Sequence, residues 1–430
     1  MSRTSATLSR VETLDRALAR VATDESLNIW SHLAIDEARV AAHECDARRA
    51  NGESKGPLDG ELVALKANIA VRGWPHDGGL PIRAGLHATE DAPVVERLRA
   101  AGAILLGQTR MDAGALGAEG RSTLGPIRNP HRVSHSAGGS SGGSAAAIAA
   151  GHCRIALGTD TIGSVRIPAS YCGISSLKPG AGRISLDGVL PVHTTFDHVG
   201  PMTRSAALLE PVLRSIADPA TGFRDEPWKE EPSNIDALRE SRVGYLVDLV
   251  ALKVNAGVQR HYAHGLELLR SRGAHLQPVE LAGFELHRVR KAVFALCEHA
   301  MWQQHHESLA RQPERYPAAL ASMLRYGGSL DAAKIIELET RVAEFRRAVR
   351  RLVDTLDALV LPTTPSQAFA FDDDAPTDLA DLTALASAAS LPAASVPLPT
   401  MGDLPVGMQI VVAEGAEIRA CRMASAFEAT

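Results

Sequence analysis

Two glycine-rich stretches decide the fold of this chain: HSAGGSSGGSAAAIAAG, residues 135 to 151, and GTDTIGSVRIPASYCGISSLKPG, residues 158 to 180. They carry Ser140 and Ser164, and a lysine, Lys66, lies upstream in ELVALKANIAVRG, residues 61 to 73. A serine hydroxyl is a poor nucleophile until a base removes its proton. Glycine-rich turns let backbone N–H groups approach a reacting oxygen closely. Together these residues predict acyl transfer by a serine, with a lysine as its base.

The composition is that of an ordinary globular protein. Of the 430 residues, 45% are hydrophobic and 22% are charged, and the net charge of −5 gives no reason to expect a nucleic-acid or membrane partner. The five cysteines are odd in number and form no CxxC motif, which favours reduced thiols. Neither a signal peptide nor an uncharged apolar run of about 18 residues is evident. We therefore expect a cytoplasmic protein.

Helical and strand patterns alternate from one end of the chain to the other, which favours one α/β fold with a covered sheet. The pattern at 8–23 predicts an amphipathic helix that either packs on the body of the protein or serves in a homodimer. The pattern at 26–50 predicts a second helical stretch. The predicted strands and helices of the first half are a strand at LVALKANIAV, helix then strand at VVERLRAAGAILLGQT, a fully buried helix at SAAAIAAGHC and a strand at IALGTD.

The pattern of polar and apolar residues changes after Pro201. Residues 219–238 are polar, contain three prolines and predict a surface connection. A strand is predicted at RVGYLVDL, a helix and a strand at VQRHYAHGLELLRSRGAHLQPVEL, and long helices over 287–350. DALVLPTTP predicts a strand, and the end of the chain predicts two short strands joined by a turn. We expect residues 205–345 and 365–390 to form the walls of a substrate pocket.

The two serine stretches and the Lys66 strand resemble the amidase signature family of serine hydrolases. DALVLPTTP and LPVGMQIV resemble that family's late core strands, so the likeness covers most of residues 60 to 205 and returns at 357 to 412. It implies a single α/β domain over 1–430, with a central mixed β-sheet covered on both faces by α-helices. The core would span 55–205 and 355–415, and a variable, helical, substrate-facing region would span 205–350.

The resemblance also implies roles for three residues. Ser164 would be the nucleophile, Lys66 the base, and Ser140 the bridging serine, preceded by a cis Gly139–Ser140 peptide bond. Burial of Lys66 beside uncharged serines would lower its pKa, so that the amine is neutral and basic near pH 7. The family often has an acidic residue directly after this lysine, where this chain has Ala67.

Backbone N–H groups around the nucleophile would hold the oxyanion that forms during acyl transfer. In this chain these are the N–H groups of Thr161, Ile162, Gly163 and Ser164. Many relatives have glycine where this chain has Ile162, and its branched side chain could narrow the acyl pocket. Supporting roles fall to Ser141, Asp160 and Arg166, and we expect Asp160 and Arg166 to form a buried pair that fixes the turn.

Other kinds of site fit the sequence less well. Metal binding by His131, His135 and His152 would require a helix beside Pro130 and a further ligand. The histidines and glutamates between 297 and 307 do not gather on one helix face. The glycine-rich loops match no phosphate-binding motif, and no GxSxG elbow surrounds Ser164. We therefore expect neither a metal nor a cofactor.

The sequence thus predicts an amidase that cleaves the C–N bond of a small linear carboxamide. Three alternatives stay open: a carbamate, urea-like or ester hydrolase with the same triad, the A-type subunit of an amidotransferase with a partner chain, and a non-catalytic scaffold. The expected partner is a small-molecule amide or carbamate. Candidate pocket residues are Met111, Tyr171, Phe196, Trp302, Met323 and Tyr326.

Overall fold

The computed structural model describes residues 8–221, 237–400, 402 and 404–429. Most of the polar connection predicted at 219–238 therefore lies outside the described residues. The strands are β1 (Trp30–Leu33), β2 (Leu62–Lys66), β3 (Ile104–Thr109), β4 (Arg121–Ser122), β5 (Gly125–Pro126), β6 (Arg128–Asn129), β7 (Arg132–Ser136), β8 (Ile155–Asp160), β9 (Ser175–Lys178), β10 (His198–Thr203), β11 (Arg242–Leu246), β12 (His275–Val279), β13 (Ala358–Pro362), β14 (Ala393–Pro397) and β15 (Gly407–Val411).

The helices alternate with these strands. They are α1 (Arg10–Thr23), α2 (Ile35–Ala50), α3 (Pro93–Ala100), α4 (Gly142–Ala149), α5 (Arg166–Cys172), α6 (Leu209–Ile216), α7 (Ala256–Ser271), α8 (Leu286–Arg311), α9 (Ala318–Gly328), α10 (Ala332–Val353), α11 (Ala384–Ala389) and α12 (Glu417–Glu428).

One large mixed sheet organises the described chain. Its strand order is β1-β3-β2-β8-β10-β9-β14-β15-β13-β11-β12. The strands β3, β2 and β8 run parallel to one another, as do β13, β11 and β12 at the other end. The strands between β8 and β13 pair antiparallel. The predicted α/β fold with a central mixed sheet is confirmed.

Both faces of the sheet are buried over inner strands such as β2, β3, β8 and β13, as their apolar residues require. Successive side chains of a strand point to opposite faces. Along β2, Val63 and Leu65 belong to one apolar cluster, whereas Leu62 and Ala64 belong to another. The second cluster includes residues of α1, α2 and α4, and the first includes residues of α3 and α6. Helices therefore cover each face of this end of the sheet.

The first helix packs on the body of its own chain. Ser9 caps α1 through a reciprocal pair of hydrogen bonds with Glu12, which satisfies two orphan donors of its first turn. The apolar side of the helix, with Leu14 and Ala17, is buried in the cluster that α2 and α4 share. Of the two roles predicted for this helix, the structure shows packing on the body.

The sequence-based boundaries differ from the structure in three places. The prediction of a helical stretch at 26–50 was wrong at its start, because Trp30–Leu33 forms the edge strand β1, which pairs with β3. The strand predicted at LVALKANIAV ends at Lys66, where the chain turns. The described part of residues 205–350 is helical over much of its length, but it also supplies β11 and β12 to the sheet.

Candidate active site

Lys66 ends β2 in the interior of the protein, with no exposed surface. The alternation along the strand places its side chain on the face of Leu62 and Ala64, which α4 covers. Its Nζ lies 2.7 Å from Ser140 Oγ and 2.7 Å from Thr159 Oγ1. The Thr159 carbonyl oxygen, at 3.4 Å, is the third hydrogen-bond partner within the described chain. The amine thus has only neutral oxygen atoms in its immediate contact.

Burial lowers the pKa of the Lys66 amine to about 7, because removal from water disfavours the charged form. The negative charges of Asp112, Asp160 and Asp197 oppose this shift without cancelling it. A substantial fraction of the amine is therefore neutral near pH 7 and able to accept a proton. Sequence reasoning missed Thr159, Asp112 and Asp197, because no motif links them to the lysine.

Ser140 and Ser141 stand directly before α4, and the Gly139–Ser140 peptide bond is cis, as the resemblance implied. The Ser141 N–H donates to the Ser164 carbonyl oxygen at 3.1 Å. The Ser141 hydroxyl donates to the Thr159 carbonyl oxygen at 3.1 Å. A Cβ on Gly158 would lie only 2.6 Å from Ser141 Oγ, so glycine is needed for this close approach. Ser141 thus ties the Ser140 loop to the end of β8 and to the Ser164 turn.

Ser164 lies in the turn between β8 and α5 and retains 8% of its surface exposed. Its hydroxyl makes no hydrogen bond within the described residues. The backbone N–H groups of Thr161, Ile162, Gly163 and Ser164 likewise find no acceptor in that part of the chain. Gly163 adopts a φ of +146°, and Thr383 packs where its Cβ would be. The turn therefore presents unused donors beside a hydroxyl, the composition of an oxyanion site.

The buried pair expected from the sequence is present directly behind this turn. Asp160 and Arg166 are both fully buried, and two hydrogen bonds of 3.0 Å join the carboxylate to the guanidinium. Burial favours the neutral acid, but Arg166 outweighs it and holds the pKa of Asp160 below its ordinary value. Arg166 also donates to the Thr383 carbonyl oxygen, Ser387 Oγ and Gln409 Oε1. The pair thereby connects the turn to the late part of the chain.

Two further carboxylates, those of Asp112 and Asp197, lie near enough to Lys66 for their charge to affect its amine. Burial raises the pKa of Asp112 to about 7, although the N–H groups of Gly120 and Arg121 donate to its carboxylate. Burial also raises the pKa of Asp197, which accepts a hydrogen bond from Thr161 Oγ1 at 2.6 Å. Asp197 therefore positions Thr161, the first residue of the turn that carries Ser164.

A cavity of about 290 Å³ opens in front of Ser164. Its lining is mainly apolar and includes Leu116, Ile162, Phe294, Met323 and Leu379. Glu119 and Arg290 are the charged side chains that line it in the described chain. Phe294 and Arg290 come from α8, Met323 from α9, and Leu379 from the loop before α11.

Most of the pocket residues named from the sequence lie elsewhere. Met323 lines the Ser164 cavity, but the other five do not. Met111, Tyr171 and Phe196 are buried in the apolar clusters, Trp302 packs against the largest of them, and Tyr326 is exposed. Size and hydrophobicity suggested these residues, but only the packing of α8 and α9 decides which side chains face the cavity.

The histidines considered as metal ligands have other contacts. His131 Nε2 lies 3.0 Å from the Cys172 carbonyl oxygen, His135 Nδ1 lies 2.9 Å from Ser134 Oγ, and His152 Nε2 lies 3.0 Å from Asp24 Oδ2. The described residues contain no group of three His, Cys, Asp or Glu side chains that could hold a metal ion.

Comparison with known proteins shows the family to which this chain is similar over almost its whole length. A family model described as Amidase matches residues 12–421. The A-type subunit of glutamyl-tRNA(Gln) amidotransferase from Anaeromyxobacter sp. (strain K) is 35% identical, with 98% of this chain and 93% of that protein covered. A crystal structure of an amidase superposes with a TM-score of 0.88 at 28% identity, covering 98% of this chain and 96% of that one. The peptide amidase from Stenotrophomonas maltophilia superposes with a TM-score of 0.81 at 28% identity, covering 98% and 93%.

None of the helices in the described ranges has the length and apolar character needed to cross a membrane.

Proposed function

This chain belongs to the amidase family, and we propose that it hydrolyses the C–N bond of a small, largely apolar carboxamide through an acyl-enzyme on Ser164. One observation carries the proposal. The Lys66 amine is fully buried, has a pKa of about 7 and lies 2.7 Å from the Ser140 hydroxyl. A lysine in such surroundings can act as a base at neutral pH.

In the proposed reaction, neutral Lys66 takes the proton of Ser140 as Ser140 takes the proton of Ser164. Ser164 Oγ bonds to the carbonyl carbon of the substrate, and the carbonyl oxygen becomes an oxyanion. When the C–N bond breaks, the proton returns through Ser140 to the leaving nitrogen. Water then repeats the sequence on the acyl-enzyme and releases the carboxylic acid.

The N–H groups of residues 161–164, which find no acceptor in the described part of the chain, support the oxyanion step. Each such donor is worth about 10²–10³ in rate in a well-studied serine hydrolase. The free hydroxyl of Ser164 is compatible with the relay, since catalytic hydrogen bonds often close only when substrate binds. Asp160, Arg166 and Ser141 are positioning residues in this scheme, because they hold the turn and the Ser140 loop.

The cavity supports a small substrate with an apolar body. Its volume of about 290 Å³ is near the lower end of typical ligand pockets, and most of its lining is hydrocarbon. Carbamates, urea-like compounds and esters would place the same carbonyl in the oxyanion turn, so they remain alternatives to a carboxamide. That residues 205–350 form the variable, substrate-facing part of a single domain also remains a proposal, supported by the lining residues from α8 and α9.

A panel of aliphatic amides, anilides, carbamates and esters tests the proposal. We expect the purified chain to hydrolyse amides and the Ser164→Ala variant to lose this activity. Ser329→Ala, which changes an exposed serine on the far end of α9, serves as the control and should behave as the wild type. Activity that survives in Ser164→Ala would contradict the assignment, and a wild type inactive on every substrate would favour a scaffold.

The names of the curated relatives favour a second candidate, the A-type subunit of an amidotransferase. Such a subunit would release ammonia from an amide donor within a complex. The cavity fits glutamine less well, because the α-ammonium group of glutamine requires a free anionic partner. The acidic side chain that lines the cavity in the described chain, Glu119, is already paired with Arg121.

Glutamine distinguishes the two candidates. An amidase of the proposed kind should hydrolyse apolar amides without a partner chain, and it should prefer these amides to glutamine. A chain that is inert by itself, but releases ammonia from glutamine when a partner copurifies with it, would support the amidotransferase instead. The comparison needs only ammonia release, measured for both substrates on the same preparation.

A further inference from the structure

Arg290 separates the Ser164 cavity from a second, more polar cavity. The second cavity has a volume of about 420 Å³ and is lined by residues 251–253, 282, 285–287, 290–291, 377–378 and 381–382. Arg290 and Thr377 line both cavities, so the two spaces meet at these side chains. The mechanism proposed above uses neither residue.

The guanidinium of Arg290 uses only some of its hydrogen-bond donors to bind Asp381 within the described chain. The side chain is 17% exposed, and its Nε donates to Asp381 Oδ1 at 2.5 Å. A guanidinium has five N–H donors, and no hydrogen bond from Nη1 or Nη2 is found among the described residues. Asp381 thus fixes the orientation of the group and leaves four donors for another acceptor.

The charges around the second cavity favour an anion. Of its acidic lining residues, Glu285 pairs with Arg288 at 2.9 Å and Asp381 pairs with Arg290. Lys253, Lys291 and Asp378 also line the cavity, and within the described ranges none of the three forms an ion pair. Two lysines therefore face one aspartate, which leaves an excess of positive charge beside Arg290.

The residues of α8 indicate the polarity of the part of the ligand that joins its two ends. Arg290 and Phe294 are four positions apart and share one face of this helix. Phe294 and Leu379 line the same mainly apolar cavity as Ser164 and Arg290, so a ligand in contact with both the serine and the guanidinium meets hydrocarbon walls. A ligand that reaches from one to the other needs an apolar chain with a negatively charged end.

We propose that Arg290 is a specificity-determining residue that binds a carboxylate on the substrate. The substrate class is then a carboxamide whose apolar chain ends in a carboxylate, such as the monoamide of a straight-chain dicarboxylic acid. This inference rests on the proposed function of Ser164. The planar fork of arginine suits a carboxylate because two parallel N–H···O bonds can form.

Binding and turnover of a matched pair of amides test this inference. The pair is adipamate, the monoamide of hexanedioic acid, and hexanamide, which has the same chain without the carboxylate. Binding is measured by calorimetry on Ser164→Ala, which cannot form the acyl-enzyme, and kcat/KM is measured on the enzyme with Ser164. We expect adipamate to be favoured about 10- to 100-fold, the usual range for a hydrogen bond to a charged group.

Arg290→Met should abolish the preference for adipamate, and Arg290→Lys should retain part of it. Arg311→Met is the matched control: it removes an arginine at the other end of the same helix, whose pair with Glu307 is exposed, and should leave the preference intact. An equal preference in wild type and Arg290→Met, or a wild type that favours hexanamide, would overturn the inference. Selective binding of adipamate without turnover would instead leave the inference standing and refute the proposed catalysis.

Discussion

At the scale of single residues, the proposed chemistry depends on the buried amine of Lys66. Only its neutral form can accept a proton, and burial brings its pKa to about 7. We therefore expect kcat/KM to fall about tenfold for each pH unit below this pKa and to level off above it. A pH–rate profile measures this directly. A profile that stays flat from about pH 5.5 to 9 would show that Lys66 is not the base.

Replacement of Lys66 tests the same claim without a change of pH. The Lys66→Ala variant loses the proton acceptor, so we expect kcat to drop by about 10³-fold or more while the fold persists. Circular dichroism and thermal unfolding would verify that the variant is folded. A folded variant that keeps most of its activity would require another base.

The Asp160–Arg166 pair contributes to stability as well as to position. Asp160→Ala would leave a fully buried guanidinium without its charge partner, which typically costs about 3–5 kcal/mol in the free energy of unfolding. Denaturant unfolding gives this quantity. Glu307→Ala, which breaks an exposed pair with Arg311 on α8, should leave the unfolding midpoint unchanged. Similar unfolding midpoints for the two variants would mean that the buried pair is dispensable.

At the scale of elements, the turn between β8 and α5 depends on the absence of a side chain at Gly163. Its φ is +146°, and a Cβ there would lie 2.3 Å from Thr383 Oγ1. We expect Gly163→Ala to displace the N–H donors and lower kcat/KM about 100-fold or more. Gly283→Ala is the control, since no atom lies within 4 Å of the Cβ position there. If the two variants keep equal activity, the turn tolerates a side chain and does not act as proposed.

We expect the helix α8 to limit the size of the substrate through Phe294, which lines the Ser164 cavity. Truncation in Phe294→Ala would enlarge the cavity beside Ser164, so the ratio of kcat/KM for a branched or aromatic amide to that for a short amide should rise. Competition between two such amides measures the ratio. An unchanged ratio would place the substrate away from α8.

The sequence was a good guide to elements with strong local patterns. The run IALGTD predicted β8 at its full length, and the pattern VVERLRAAGAILLGQT predicted α3 and β3. It failed at Trp30–Leu33, because a half-buried strand of only four residues next to a helix shows no clear alternation of apolar and polar side chains. Pairing with β3, a contact far along the chain, determines that strand.

At the scale of the whole molecule, the sheet brings distant segments to one site. Because β2 and β8 are parallel, with Leu65 opposite Leu157, the ends that carry Lys66 and Thr159 meet at one edge. The family resemblance was enough to name Lys66, Ser140 and Ser164. The cavity could not be predicted in this way, because its walls come from α8, α9 and the loop before α11, which converge only in the folded chain.

Identification of the residue that carries the acyl group tests the account most directly. The enzyme would be incubated with an activated amide or ester, quenched in acid and examined by intact-mass and peptide mass spectrometry. We predict one acyl group per chain, on the peptide that contains Ser164, and much slower labelling of Lys66→Ala. An acyl group on any other residue, or equal labelling of the two proteins, would contradict the lysine-activated serine.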